Sequence, residues 1–208
     1  MDLSRPISDV IPGAHGIVLS VLASTSEPLT GRRVAELGAG DVSQSSVSRI
    51  LRELVRAGIV ACQPAGRANL YSLNLEHLAA PSVVQLTGLR QALLDRLALA
   101  VAAWDLRPLA VWMFGSAARG AGTPESDIDL FVLRPDAIDD DDAWSAQTGA
   151  LAEAVTRWTG NACDLLDYGE TEFTDLVAAG DPIAASLRDD AIVVYGTNPR
   201  DLIGRVRR

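Results

Sequence analysis

The 208-residue sequence predicts a mixed α/β (α+β) chain in two parts: a small helical unit closed by a β-hairpin, then a small mixed sheet flanked by helices. Three observations carry this expectation. Residues 42–60 read as an amphipathic helix with arginines along its polar side, followed by two short β-prone stretches around Pro64-Ala65-Gly66-Arg67. Two apolar runs, 109–114 and 128–133, have the length of buried strands and are joined by a Gly-rich turn. Beyond them a helical spacing, a strand-like run, a second helical spacing and a closing strand follow in turn. The length allows two domains of ordinary size, expected at 1–80 and 81–208, with a connecting helix over about 82–104.

In the front part a first helix is expected over 14–24, and a second begins near Thr30 with Val34, Ala35 and Leu37 on its apolar side. The turn Gly38-Ala39-Gly40-Asp41 leads to a third helix, with Ser43 as N-cap and Gly58 as C-terminal stop. Val47, Ile50, Leu51 and Leu54 share one side, whereas Ser45, Arg49, Arg52 and Arg56 share the other. Strands over 60–63 and 69–73 complete a hairpin. This stretch, above all residues 43–60, resembles the winged helix-turn-helix domains of bacterial transcriptional regulators. The resemblance implies double-stranded DNA as a partner, contacted by Gln44, Ser45, Arg49 and Arg52 from the helix and Arg67 from the wing, with a homodimer supplying affinity. A solvated arginine face, or a winged helix used for protein contacts, is the competing reading of the same residues.

Pro81 suits the first turn of the connecting helix, whose stripe Leu86, Leu89, Leu93, Leu97 and Val101 leads to Trp104; Asp105-Leu106-Arg107-Pro108 ends it. The stripe spans too few heptads for a coiled coil and reads first as intramolecular core. The run Leu109-Ala110-Val111-Trp112-Met113-Phe114 then ends at Gly115-Ser116, and the second strand carries Asp127 and Asp129 at its start. Alternate residues of a strand share a face, so the two carboxylates point one way while Ile128, Leu130 and Val132 point to the core. Carboxylates so close repel unless a proton or a divalent cation lies between them, and hard oxygens suit magnesium carrying substrate phosphates. An isolated Asp-x-Asp is also common at a solvated strand edge or turn.

The segment Phe114-Gly115-Ser116-Ala117-Ala118-Arg119-Gly120, then Ser126-Asp127-Ile128-Asp129-Leu130, resembles the polymerase-beta-type nucleotidyltransferase superfamily, most closely its minimal nucleotidyltransferase branch. The resemblance implies that the Gly115-Ser116 turn, with Arg119 and Ser126, binds the triphosphate of ATP or another NTP. It implies that Asp127 and Asp129 bind two Mg2+ ions, and that a third carboxylate from a later strand completes the site. Relatives occur in toxin-antitoxin and defence systems, some transferring AMP to protein or RNA. No P-loop motif is present, and no histidine follows His77, so neither a Ser-His-Asp triad nor a His-based zinc site can be assembled within the second part.

A helix is expected over 144–158, with Asp139 to Asp142 at its positive N-terminal end rather than at a metal. The next strand, over 161–167, places Asp164 inside an apolar run, where burial gives it a reason to face Asp127 and Asp129; it matches the family's third acid. Asp167, at the strand's end, competes for that role. A helical pattern through Phe173, Leu176, Ile183, Ala184 and Leu187 precedes a closing strand over 191–195, and Arg205, Arg207 and Arg208 read either as a basic tail or as a solubilising end.

The net charge of −9 is uneven: residues 1–80 carry seven arginines and seven acids, residues 81–208 eleven and twenty. The acidity therefore belongs to the second part, while residues 42–70 are net +3 and offer a modest, salt-sensitive basic patch. All eighteen basic residues are arginine. Cys62 and Cys163 have no metal-site spacing and read as free, buried thiols of a reducing compartment. Residues 1–5 lack a signal h-region and no apolar run has membrane length, so a cytoplasmic protein is expected. The function that the two resemblances imply is magnesium-dependent transfer of a nucleoside monophosphate, AMP foremost, from an NTP to a hydroxyl acceptor, coupled to DNA binding and transcriptional control. The alternatives are a transcriptional regulator whose second domain only senses nucleotide, and small-molecule modification.

Overall fold

The computed structural model describes residues 1–38 and 40–206; Ala39 of the expected turn, and Arg207 and Arg208 of the expected tail, lie outside the described residues. The chain divides into two compact units, Asp2 with Ser4–Arg90, and Met1 and Leu3 with Gln91–Arg208. The division falls at Arg90/Gln91, not at the expected 80/81.

The first unit runs α1 (Ile7–Val10), α2 (Ala14–Ala23), β1 (Leu29–Thr30), α3 (Gly31–Leu37), α4 (Gln44–Arg56), β2 (Val60–Ala65), β3 (Ala68–Leu73) and α5 (Ala80–Thr87). Local chemistry sets its helix ends. The Thr30 hydroxyl accepts from Arg33 N at 3.2 Å to start α3, and the Ser43 hydroxyl accepts from Ser46 N at 3.2 Å to start α4. Past α4, Gly58 takes a φ of +77°, and Ile59 N turns back to Leu54 O at 3.1 Å, closing the helix. β2 and β3 form an antiparallel hairpin paired from Val60↔Leu73 to Ala65↔Ala68, with Gly66 and Arg67 at the tip, and β1 adds to the β3 edge. Its core is the α2–α3–α4 junction, where Ile50 and Leu51 of α4 are fully buried among Val18, Leu22 and Val34.

The expected single helix over 82–104 is two helices, α5 and α6 (Leu89–Ala102). Gly88 parts them: its N–H bonds Val84 O and Gln85 O, while the Thr87 hydroxyl bonds Val84 O at 2.8 Å, so the last turn of α5 is tied off locally.

After α6 come β4 (Ala110–Phe114), α7 (Gly115–Arg119), β5 (Ile128–Arg134), α8 (Asp141–Thr159), β6 (Cys163–Gly169), α9 (Glu170–Ala178), α10 (Pro182–Asp190), β7 (Ile192–Gly196) and α11 (Pro199–Val206). The sheet order is β6-β5-β4-β7; β5 and β6 are parallel, the other pairs antiparallel. Asp140 of the acidic run caps α8 through Ala143 N at 3.0 Å, as the helix-entry reading requires. The tail pattern is two helices because Gly180, at φ +69°, stops α9 and Asp181 caps α10 through Ile183 N at 2.8 Å. Strand alternation sends Val111, Met113, Leu130 and Val132 to one core with α6 and α8, and Ala110, Trp112, Phe131 and Leu133 to the other with α9, α10 and α11. The sheet is thus covered by helices on both faces.

Trp112 is the hub of the second core. Its ring is fully buried, stacks on Phe131 at 5.4 Å and meets Phe173 at 5.8 Å, and its Nε1 donates to Thr197 O at 2.8 Å. Trp112→Ala removes this packing and orphans a carbonyl, so denaturant titration of the variant is expected to show a loss of about 3–5 kcal/mol.

Candidate active site

The strand-end residues converge because the pairing registers them. Phe114, the last residue of β4, lies opposite Asp129 of β5, and Asp129 lies opposite Asp164 of β6. Parallel register partners point the same way, so Asp129 and Asp164 stand side by side on the Trp112 face. Asp127, exposed, immediately precedes β5; Asp129 is half-buried and Asp164 exposed. The expectation that burial in an apolar strand orients Asp164 is corrected: β6 is an edge strand, Asp164 is its second residue, and register with Asp129 is what places it. Its competitor Asp167 accepts a hydrogen bond from Trp144 Nε1 at 2.7 Å, which accounts for it structurally.

Next to this pair the chain leaves β4 through Gly115 at a φ of +67°. A Cβ built there would lie 2.0 Å from Asp129 Oδ2 and 2.9 Å from Asp129 Cγ, so any side chain at this position must displace the carboxylate. Ser116 follows at the start of α7. Arg119, at the other end of α7, is exposed and pairs through Nη1 with Asp190 Oδ2 of α10 at 3.1 Å. Ser126 is engaged locally: its Oγ accepts from Thr123 N at 2.9 Å and lies 3.1 Å from the Thr123 hydroxyl.

Electrostatics mark Asp129 as the strained member. Burial, then the negative charges of Asp164 and Asp127, push its carboxyl above the ordinary range, and Arg119 opposes them. Asp129 therefore favours folding only when protonated. That contribution is complete below the unfolded carboxylate pKa and lost as pH rises through the raised value, so at neutral pH a counter-charge would relieve it. Burial, then the negative charges of Asp164 and Asp129, push the Cys163 thiol up to about 12 and keep it neutral. Cys62, expected to be buried, is exposed, because β2 turns its middle residues to solvent; both cysteines are free.

The oxygen donors match a hard divalent cation, and the mutual repulsion at Asp129 is what such a cation would cancel. Among the described residues no three His, Cys, Asp or Glu side chains converge closely enough to enclose an ion by themselves. Magnesium is commonly held by one or two carboxylates together with substrate phosphates. Asp190 was missed in the sequence reading; it lies 71 residues beyond Arg119 and carries no motif.

In the first unit, Gln44, Ser45, Arg49 and Arg52 are exposed on α4 and Arg67 is exposed at the hairpin tip. Arg49 is partly committed: its Nη1 pairs with Glu53 Oε1 at 2.8 Å, and Glu53 Oε2 lies 3.0 Å from His15 Nε2. The hydrogen bonds from Arg49 and His15 hold the Glu53 carboxyl below its usual range. The Ser45 hydroxyl lies 3.0 Å from that of Ser43.

Gly115→Ala is expected to destabilise the fold by about 1–3 kcal/mol, since alanine is strained at positive φ and its methyl must displace the Asp129 carboxylate. Gly122→Ala is the control: a Cβ there meets Ala117 atoms at 3.7 and 3.8 Å, ordinary contact, and the cost in the same unfolding assay stays under ~1 kcal/mol.

No curated protein matches the chain. Among solved structures, a toxin-antitoxin complex with AMP-PNP is similar at 18% identity over 55% of this chain and 83% of that one, with a TM-score of 0.40. Two mutants of the MntA-HpeT toxin-antitoxin are similar at 16% identity over 55% and 83% (TM-score 0.40) and at 20% identity over 54% and 81% (TM-score 0.37). Likenesses of this degree carry no weight for activity. The sequence itself is more direct: residues 94–159, from within α6 through β4, the Gly115 turn, Asp127 and Asp129 to the end of α8, match the family model of the nucleotidyltransferase domain.

Proposed function

We propose that this protein is a magnesium-dependent nucleotidyltransferase that moves a nucleoside monophosphate, AMP, from an NTP to a hydroxyl acceptor. The observation that carries the reading is the Asp129–Asp164 register pair, joined by Asp127 in raising the Asp129 pKa and closed on one side by the Gly115 turn. The nucleotidyltransferase-domain match over residues 94–159 supports the same chemistry. Asp127, Asp129 and Asp164 would hold two Mg2+ ions, which neutralise phosphate oxygens and lower the pKa of a hydroxyl bound to them. Gly115 lets the backbone approach the nucleotide, and the Ser116 hydroxyl and Arg119 guanidinium are donors for its phosphate oxygens. Ser126 shapes the turn before Asp127 and serves nucleotide binding through it. The acceptor oxygen attacks the α-phosphorus, its proton passes to Asp164, and the bond to pyrophosphate breaks.

Incubation with labelled NTPs, Mg2+ and candidate protein, RNA and small-molecule acceptors tests this. Label transfer with pyrophosphate release is expected, reduced at least ~100-fold in Asp129→Ala. Undiminished turnover in the variant would overturn the assignment; nucleotide binding without turnover on any acceptor would turn the protein into a nucleotide sensor.

The first unit is proposed to bind double-stranded DNA in the manner of a winged helix, as a homodimer, linking transfer to transcriptional control in a toxin-antitoxin or defence setting. The order helix, short strand, two helices, hairpin, with the exposed residues of α4 and the hairpin tip, supports this. Gln44, Ser45, Arg49 and Arg52 are the proposed helix contacts and Arg67 the wing contact. Arg52→Ala and Arg67→Ala should each weaken binding to the promoter region and lower the log–log salt slope by about one. Unchanged affinity and slope in both variants would reject the interface. Among the described residues no helix is long and apolar enough to cross a membrane.

A further inference from the structure

Asn161, in the turn between α8 and β6, is only 4% exposed, and its side-chain hydrogen bonds tie together segments far apart in sequence. Its Nδ2 faces three carbonyl oxygens: Ser126 O at 2.8 Å, Pro124 O at 3.2 Å and Met1 O at 3.2 Å. Carbonyls only accept, so the amide nitrogen must point at them, and its two hydrogens are shared among the three. Oδ1 accepts from the Met1 amino group at 2.5 Å. One residue further, Ala162 O accepts from Ile128 N at 2.9 Å. Asp127 thus sits between two anchored residues, Ser126 and Ile128, and both anchors come from the dipeptide two residues ahead of Asp164.

We propose that Asn161 is a positioning residue for the carboxylate set: it holds the 124–128 segment against the entry of β6, and so fixes Asp127 and Asp129 relative to Asp164. This rests on the nucleotidyltransferase reading above. The physical case is the cost of the arrangement. A buried amide that lost its partners would be penalised by about 1–3 kcal/mol, and an ordinary apolar residue would fill the space without that risk. What an apolar residue cannot do is grip two carbonyls in a turn that has no strand pairing of its own. The charged groups gain from the grip, because Asp164 and Asp127 both act on Asp129 as like charges, and Asp127 lies outside β5, with no strand pairing to hold it.

Asn161→Ala is compared with the wild-type full chain in two measurements. Amide hydrogen exchange over 124–129 should accelerate at least ~10-fold while α9 and α10 keep their protection, and the Kd for a non-hydrolysable ATP analogue in Mg2+, read by calorimetry, should rise ~10–100-fold. Asn161→Ser keeps a shorter donor and should fall between the two in both measurements; it replaces the alanine variant if that one does not fold. Acceleration spread evenly over the unit would reduce Asn161 to a general stabilising residue and overturn the proposal. So would a loosened 124–129 segment with wild-type nucleotide affinity. Failure of the wild type itself to bind Mg2+-nucleotide would instead overturn the nucleotidyltransferase reading.

Discussion

The close approach of the Gly115 backbone to the Asp129 carboxylate is the constraint on which the sheet unit's site depends. Pairing of β4 with β5 sets Phe114 opposite Asp129, so the chain must turn away within one residue, directly over that carboxylate. A side chain at the turn would overlap Oδ2, and the positive φ excludes most L-residues independently. Asp129 is consequently enclosed by backbone on one side and by Asp164 on the other. Burial and like charge then act in the same direction on its pKa, and the carboxylate is held in a place where it wants either a proton or a cation.

Strand ends make this enclosure rigid. β4 and β5 are buried on both faces, by Val111, Met113, Leu130 and Val132 toward α6 and α8, and by Trp112, Phe131 and Leu133 toward α9, α10 and α11. The aromatic stack continues from Trp112 of β4 through Phe131 of β5 to Tyr168 of β6, with ring centroids 5.4 and 5.2 Å apart, so the two strands that carry Asp129 and Asp164 share one packed layer with β4. A site built on such strands is positioned more closely than one built on loops. Asp127 is the exception, since it precedes β5, and its position is inherited from the turn that Asn161 grips.

Local chemistry was legible in the sequence wherever one residue decides the outcome. The Ser43 cap and the Gly58 stop of α4, the acidic entry to α8 and the Gly115-Ser116 turn between two apolar runs are all where the residue types require them. Features decided by distant neighbours were not. The break at Gly88 is one glycine in an otherwise continuous leucine pattern, and whether a helix survives such a residue depends on packing that the pattern does not contain. The exposure of Cys62 and of Asp164 depends on which strands lie at sheet edges, a matter of strand order. Asn161 and Asp190 belong to no motif. Their importance follows from partners 35 and 71 residues away, and only assembled contacts show it.

Arg119 brings the electrostatics of the unit to one decision. It is the cation whose field reaches Asp129, in a half of the chain that carries the whole of the −9 net charge. A polyphosphate approaching so acidic a surface is repelled unless cations at the site reverse the local sign. In the pair Arg119 makes with Asp190 the side chains are 48% and 32% exposed, and pairs so open to solvent contribute only ~0–1 kcal/mol. On the function proposed above, exchanging Asp190 for a phosphate oxygen would cost little. A weak partner suits a residue proposed to hold a phosphate, because it fixes the guanidinium without binding it tightly.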